Sequence, residues 1–300
     1  MSSKVKELKE VGKVKKLSDY KEEIKKSLKE LKVIYSDLDG TLLNQKGCLI
    51  KDENDCLYLE SIEELVEILK RGWDVVLVSG RNRTQLKYNA QLIGVNNYIA
   101  ELGCELVYNL GEKIYQTFDT QNVDYDLGYG GKDLATVVKL LKESFPDRLE
   151  YNPEWSKYRS WTVLLFGDID LDLANEKLRE NGFDNLILVD NGLTSLVKLD
   201  IGVNRLHIYN LIPEGVDKSS AIRLDKKLRR LETENCIALG DSLEDLKMAK
   251  EVKFFFLMRN AFDFEGGKKI LEELQNYDNV FVTEGRMNRG WTEVMRFVRS

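Results

Sequence analysis

The 300-residue sequence predicts an α/β protein: a parallel-sheet core broken once by an α+β insertion and preceded by a helical extension. Three observations carry this. Over 33–118, short apolar runs of strand length alternate with stretches of helical period. Over 119–205 the rhythm changes to helices followed by paired strands. Over 206–300 the first rhythm returns. Residues 1–32 are lysine-rich with apolar positions three to four apart, which predicts one or two amphipathic helices.

In the extension these positions are Val5, Leu8, Val11, Val14 and Leu17, then Ile24, Leu28 and Leu31, with breaks expected near Gly12 or Ser18-Asp19. Packing on the main domain is favoured over a membrane surface, because the polar face carries acids as well. Val33–Asp37 reads as a buried strand that stops at Asp37 and Asp39, then Gly40 and Thr41. A loop (42–55) leads to a helix through Ile62 and Leu69, with Ser61 and Glu64 near its start and Gly72 past its end. Trp73–Val78 is a second strand, ending in Ser79-Gly80-Arg81, and a helix is expected from Arg83 to Leu92. Tyr98–Ala100 is a third strand, and 105–118 a hairpin around Asn109-Leu110-Gly111.

Within the insertion, helices are expected over 134–145 and 171–181, and strands over 160–166, 186–189 and 195–199, with Asn191-Gly192 as a turn signal. A strand at 206–211 is expected to resume the core winding. It is followed by Lys218, a helix over 219–231, the strand Cys236–Leu239, Gly240-Asp241-Ser242, and a helix over 243–250. Strands at 254–257 and 279–282 flank a last helix near 268–275.

Composition narrows the function. The chain is 43% hydrophobic and 32% charged, with a net charge of −6, which indicates a globular protein and gives no sign of nucleic acid or an anionic membrane surface as partner. Cys48, Cys56, Cys104 and Cys236 form no CxxC pair, which argues against zinc. No signal peptide or long apolar run is evident, so a soluble cytoplasmic protein with reduced thiols is expected. The single histidine, His207, sits in a strand-like run and is read as structural. A His-based mechanism is therefore disfavoured.

Four sites fall at strand ends or helix starts: Asp37 with Asp39, Ser79, Lys218, and Asp241 with Asp245. Alone, each has an ordinary reading as a turn, cap or surface charge. A calcium loop starting at Asp37 fails, because Leu42 and Cys48 stand where glycine and glutamate are needed. A phospho-receiver domain is shorter and needs no late acid pair. Together the sites suit phosphoryl chemistry. Ligands bind beyond the carboxyl ends of strands in open α/β sheets. A hydroxyl, helix-start N–H groups and a lysine can hold a phosphate. Acids from separate strands can hold Mg²⁺, which offsets the repulsion between a carboxylate nucleophile and a phosphate dianion. Asp245, one helical turn past Asp241, can reach the metal's waters or hold Lys218.

These residues resemble the four motifs of the haloacid dehalogenase superfamily of phosphohydrolases: Asp37-Leu38-Asp39-Gly40-Thr41, Ser79-Gly80-Arg81, Lys218, and Gly240-Asp241-Ser242-Leu243-Glu244-Asp245. The resemblance covers about 33–300. It implies a Rossmann-like core, Asp37 as nucleophile, and Asp39 as general acid and then base. It further implies Mg²⁺ on Asp37, the Asp39 carbonyl and Asp241, with phosphate held by Ser79, Gly80 and Lys218. Between Asp39 and Ser79 there are too few residues for a cap domain, whereas the 139 positions from Ser79 to Lys218 accommodate one. This is similar to the type-two capped branch, which includes Cof-like, sucrose-phosphate, trehalose-phosphate and mannosyl-3-phosphoglycerate phosphatases. The expected division is therefore 1–32 extension, 33–118 core, 119–205 cap and 206–300 core. Two positions depart from the branch pattern: Leu102 stands where Asn is usual, and Glu244 likewise.

The implied function is a Mg²⁺-dependent phosphomonoesterase acting on a small phosphorylated sugar or glycosyl-phosphoglycerate. The alternatives are a sugar phosphomutase and a non-catalytic binding protein. Gly290-Trp291-Thr292-Glu293 resembles the C-terminal run of mannosyl-3-phosphoglycerate phosphatases, although simple packing of Trp291 is the favoured reading. Arg81, Arg159, Lys157 and Asn191 are candidate substrate contacts, with surface charge as the ordinary reading for the cap residues among them.

Overall fold

A computed structural model describes residues 14–28, 30–119, 132–193, 199, 201–263 and 266–300. The strands, in chain order, are β1 (Val33–Asp37), β2 (Asp74–Val78), β3 (Asn97–Ala100), β4 (Glu105–Tyr108), β5 (Lys113–Gln116), β6 (Leu149–Tyr151), β7 (Val163–Gly167), β8 (Leu186–Leu193), β9 (His207–Pro213), β10 (Cys236–Gly240), β11 (Phe254–Leu257) and β12 (Val280–Val282). They form two sheets. The larger has the order β12-β11-β10-β1-β2-β3-β4-β5, and the smaller β6-β7-β9-β8.

From β12 to β3 the large sheet is parallel, and β4 and β5 add an antiparallel edge. All five residues of β1 and of β10 are buried, as expected for parallel strands covered on both faces. Ile34, Leu77, Leu239 and Phe256 face one core layer, and Tyr35, Val76, Ala238 and Phe255 the other. The small sheet is antiparallel throughout. Its Val163, Leu165, Leu188 and Leu211 bury against helices Lys132–Ser144 and Leu171–Glu180, forming a separate core.

One expected strand moves to the other sheet. The run near 206–211, read as a return to the core, is β9, which pairs with β7 and β8. A mostly apolar run without strict alternation, such as Leu206–Leu211, has no period that distinguishes a buried antiparallel strand from a parallel one. Residues 214–217 lead from β9 into helix Lys218–Arg229, after which the chain rejoins the large sheet at β10. The expected strand 195–199 lies for the most part outside the described residues. The elements unread in the sequence include the short β6, the one-turn helix Pro153–Ser156 and the C-terminal helix Met287–Arg299.

The described part of the extension packs on the core. Leu17 and Ile24, in a 3₁₀ turn and in helix Lys21–Ser27, are fully buried against the large sheet. Lys16 makes a parallel bridge to Val282 at the sheet edge. Val5, Leu8 and Val11 lie outside the described residues. The four cysteines are free thiols. Among the described residues, no helix is long and apolar enough to cross a membrane.

Gly103 shows how tightly the segment after β3 meets the start of helix Lys218–Arg229. Its φ is +108°, and a Cβ there would lie 2.1 Å from the Asp217 carbonyl oxygen and 3.1 Å from the Lys218 nitrogen. Gly103→Ala is expected to lower stability by about 2–4 kcal/mol, through backbone strain and a clash that only main-chain movement relieves. Urea denaturation checks this, and a loss under about 1 kcal/mol would show that the contact yields easily.

Candidate active site

The site lies at the carboxyl ends of three neighbouring strands, β10, β1 and β2, where α/β sheets place ligands. Asp37 ends β1, Asp241 follows β10, and Ser79-Gly80-Arg81 follows β2. Lys218 is the first residue of its helix, which Asp217 caps by accepting from the Ser220 N–H. That start points the buried Lys218 ammonium into the acids. Its Nζ lies 2.7 Å from Asp37 Oδ1 and 2.5 Å from Asp245 Oδ1. Asp245 is also held by its other oxygen, which accepts from the N–H groups of Asp241 and Ser242 and from the Ser242 hydroxyl.

Gly40 lets Asp241 approach. With φ at +82°, it adopts a backbone that favours glycine, and a Cβ there would lie 2.3 Å from Asp241 Oδ2. Asn260, unmarked by any sequence signal, donates to both the Gly40 carbonyl and Asp241 Oδ2, at 2.9 and 2.8 Å.

The electrostatics follow from placing two buried carboxylates, Asp37 and Asp245, and the partly buried Asp241 beside one ammonium. Burial, with the Asp245 charge, pushes Asp37 up to about 7 despite Lys218. Burial and the Asp37 and Asp245 charges raise Asp241 well above the carboxylate range. For Lys218, burial pulls down, but Asp245 and Asp37 more than offset it, and its pKa is raised. One more positive charge would relieve this excess. Oxygens of Asp37, Asp241 and Asp245 lie within 4.8 Å of one another. An all-oxygen set fits a hard divalent cation. Asp245 already accepts donors on both oxygens, whereas Asp37 and Asp241 each accept one side-chain hydrogen bond among the described residues. Asp37 and Asp241 are thus the two that could ligate such a cation, with Asp245 behind them.

Several residues sit differently from expectation. Ser79 does not open a helix: helix Arg83–Ile93 starts behind Asn82, which makes a reciprocal capping box with Gln85. Ser79 lies in the preceding loop, stitched to the chain after β3 through Ser79 N to Ile99 O and Leu102 N to Ser79 O. The half-exposed Asp39 side chain stands outside the acid trio and is held by Arg81 at 2.5 and 2.8 Å. Arg159 is no surface charge. It is 8% exposed and donates to Gly80 O and Thr162 Oγ1, at 2.9 and 2.8 Å. Asn191 reaches the same loop from β8, for a Cβ on Gly80 would lie 3.2 Å from its Nδ2. Lys157 stays at the surface near Glu154. His207 pairs with Asp190 at 2.9 Å and stacks on Tyr209 within the small sheet. Trp291 is fully buried and donates to Ser36 Oγ, which donates to the Asp37 carbonyl.

Both departures from the motif pattern have a place. Leu102 packs on Val189 and Ile212 of the small sheet, and Glu244 pairs with Lys247 at 2.8 Å. Sequence reasoning gave Glu101 no role, but it joins the two sheets. Fully buried, it accepts from the N–H groups of Ser160, Trp161 and Thr162 and from the Thr162 hydroxyl, at 2.8–3.0 Å.

Comparison with known proteins finds a matching family, relatives and a similar fold. The family model for haloacid dehalogenase-like hydrolases matches residues 34–143 and 184–263. A 5-amino-6-(5-phospho-D-ribitylamino)uracil phosphatase from Bacillus subtilis is 27% identical over 274 residues, covering 89% of this chain and 95% of its own. A glucosyl-3-phosphoglycerate/mannosyl-3-phosphoglycerate phosphatase from Persephonella marina is 23% identical, covering 87% and 94%. In fold, the chain resembles the sucrose-phosphatase from Synechocystis, solved with sucrose and phosphate. The TM-score is 0.60 at 14% identity, over 90% of this chain and 99% of that one.

Proposed function

Because the chain belongs to the haloacid dehalogenase-like hydrolase family, we propose that it hydrolyses a phosphorylated sugar or glycosyl-phosphoglycerate through an aspartyl-phosphate on Asp37. At the coarser level it is a phosphoric monoester hydrolase, in line with relatives named as phosphatases along most of its length. The observation that carries the finer reading is the buried Asp37 carboxylate, held by Lys218 beside Asp241.

In this reading an Asp37 oxygen attacks phosphorus, the ester P–O bond breaks, and Asp39 gives the leaving oxygen its proton. Water then attacks the aspartyl-phosphate, the bond from Asp37 to phosphorus breaks, and Asp39 takes a proton from that water. Lys218 offsets charge on the phosphoryl oxygens, and the Ser79 hydroxyl and the Gly80 N–H bind them. Mg²⁺ on Asp37 and Asp241, when bound, would supply charge neutralisation and Lewis acidity. Asn260 and Asp245 hold Asp241 and Lys218 in place around it. Asn191, and Arg159 by way of Gly80, set the cap against the loop that would hold the phosphate.

Purified protein assayed over sugar phosphates and phosphoglycerate glycosides is expected to release free phosphate with no isomeric sugar phosphate; an isomeric product would mark a mutase instead. Chelation of divalent metal is expected to abolish release and Mg²⁺ to restore it. Full activity in chelator would remove the metal from this reading.

A further inference from the structure

Arg81 grips Asp39 with a fork. Nη2 lies 2.5 Å from Asp39 Oδ1 and Nε 2.8 Å from Oδ2, so one planar group engages both carboxylate oxygens. The third nitrogen, Nη1, donates to Asn89 Oδ1 at 3.0 Å. Asn89 belongs to helix Arg83–Ile93, whose first turn is fixed by the capping box of Asn82 and Gln85. The Arg81 main chain is tied down too. Its N–H donates to Ser79 Oγ, and its carbonyl accepts from the Glu101 N–H. Every guanidinium nitrogen thus has an acceptor, and the fork hangs from a rigid helix and a stitched loop.

We propose that Arg81, braced by Asn89, is a positioning residue that orients Asp39 for the second half of the reaction, in which Asp39 takes a proton from the water attacking the aspartyl-phosphate. This rests on the aspartyl-phosphate reading above. A guanidinium has donors only, so the fork needs both Asp39 oxygens as acceptors, which is the form that receives a proton. Each oxygen keeps a second lone pair for the water. Asp39 otherwise has little to hold it, because its side chain is 48% exposed and lies outside the acid trio. Without the fork its carboxylate would turn freely, and loss of orientation at a reacting group costs about a hundredfold in rate. Lysine offers a point charge and no planar pair of donors, so it cannot replace the fork.

The test compares Arg81→Ala, Arg81→Lys and Asn89→Ala with the unaltered Mg²⁺-supplemented enzyme. The substrate is a radiolabelled aryl phosphate whose phenolate leaves without needing a proton. Steady-state rates are measured together with the fraction of protein carrying hydroxylamine-labile label after rapid quenching. In Arg81→Ala, kcat is expected to fall about a hundredfold while the labelled fraction rises and KM falls along with kcat, leaving kcat/KM nearly constant. Arg81→Lys should recover little, and Asn89→Ala, which leaves the fork itself in place, should shift both readouts the same way by less. A lower kcat with no gain in label, a rise in KM alone, or an unchanged kcat would each overturn the inference while leaving the aspartyl-phosphate reading intact. An unaltered enzyme that turns over without ever labelling would overturn both.

Discussion

Asp37→Asn is expected to lower turnover by about four to six orders of magnitude, the range seen when a covalent nucleophile is removed. The amide oxygen can still accept from Lys218, so the side chain keeps its place at the end of β1. It lacks the charge needed to bond phosphorus. The same change should not weaken the fold. Burial and the Asp245 charge hold the Asp37 pKa near 7, which means that the native structure bears the burden of an unfavourable carboxylate there. A neutral side chain of the same size lifts that burden. Collapse of phosphate release with an unchanged or higher melting temperature is the expected pair of results. A rate within tenfold of the unaltered enzyme would exclude Asp37 as the nucleophile.

Glu101→Ala is expected to cost about 3–5 kcal/mol. The carboxylate is fully buried and takes three N–H groups and one hydroxyl from residues 160–162. Removing it leaves these donors without an acceptor, and a buried unsatisfied donor costs about 1–3 kcal/mol. Arg159, whose Nη1 donates to the same Thr162 hydroxyl, would lose part of its surroundings as well. The damage should be local: the amides of 160–162 are expected to exchange with solvent much faster, while those of β1 and β10 hold their protection. Stability within about 1 kcal/mol, with slow exchange at 160–162, would show that water or another group replaces Glu101 readily.

The inner strands of the large sheet were readable because they are buried on both faces and register as apolar runs, with β1, β2 and β10 each ending in a motif. Val33–Asp37 and Cys236–Gly240 are the clearest cases. The same property misled at His207–Pro213, whose apolar run looks alike in either sheet. The C-terminal helix has buried positions at helical spacing, among them Met287, Trp291 and Val294, but its polar start carries no capping residue. Lys218, Asp241 and Asp245 were legible because their chemistry needs particular side chains at fixed offsets. The partnership of Arg81 with Asp39 and the grip of Glu101 on 160–162 were not. Both join residues far apart in the chain, and only the register of β1 with β2 and the placing of the small sheet bring them together.

The route from β9 back to the large sheet makes residues 214–217 a short leash. It links the last pairing of the small sheet, Pro213 with Leu186, directly to the lysine that reaches Asp37. A tilt of the small sheet therefore cannot be absorbed by slack on that side. It would arrive as a tug on the end of the helix that carries Lys218, so a molecule wedged under the small sheet could be felt at the acids without touching them.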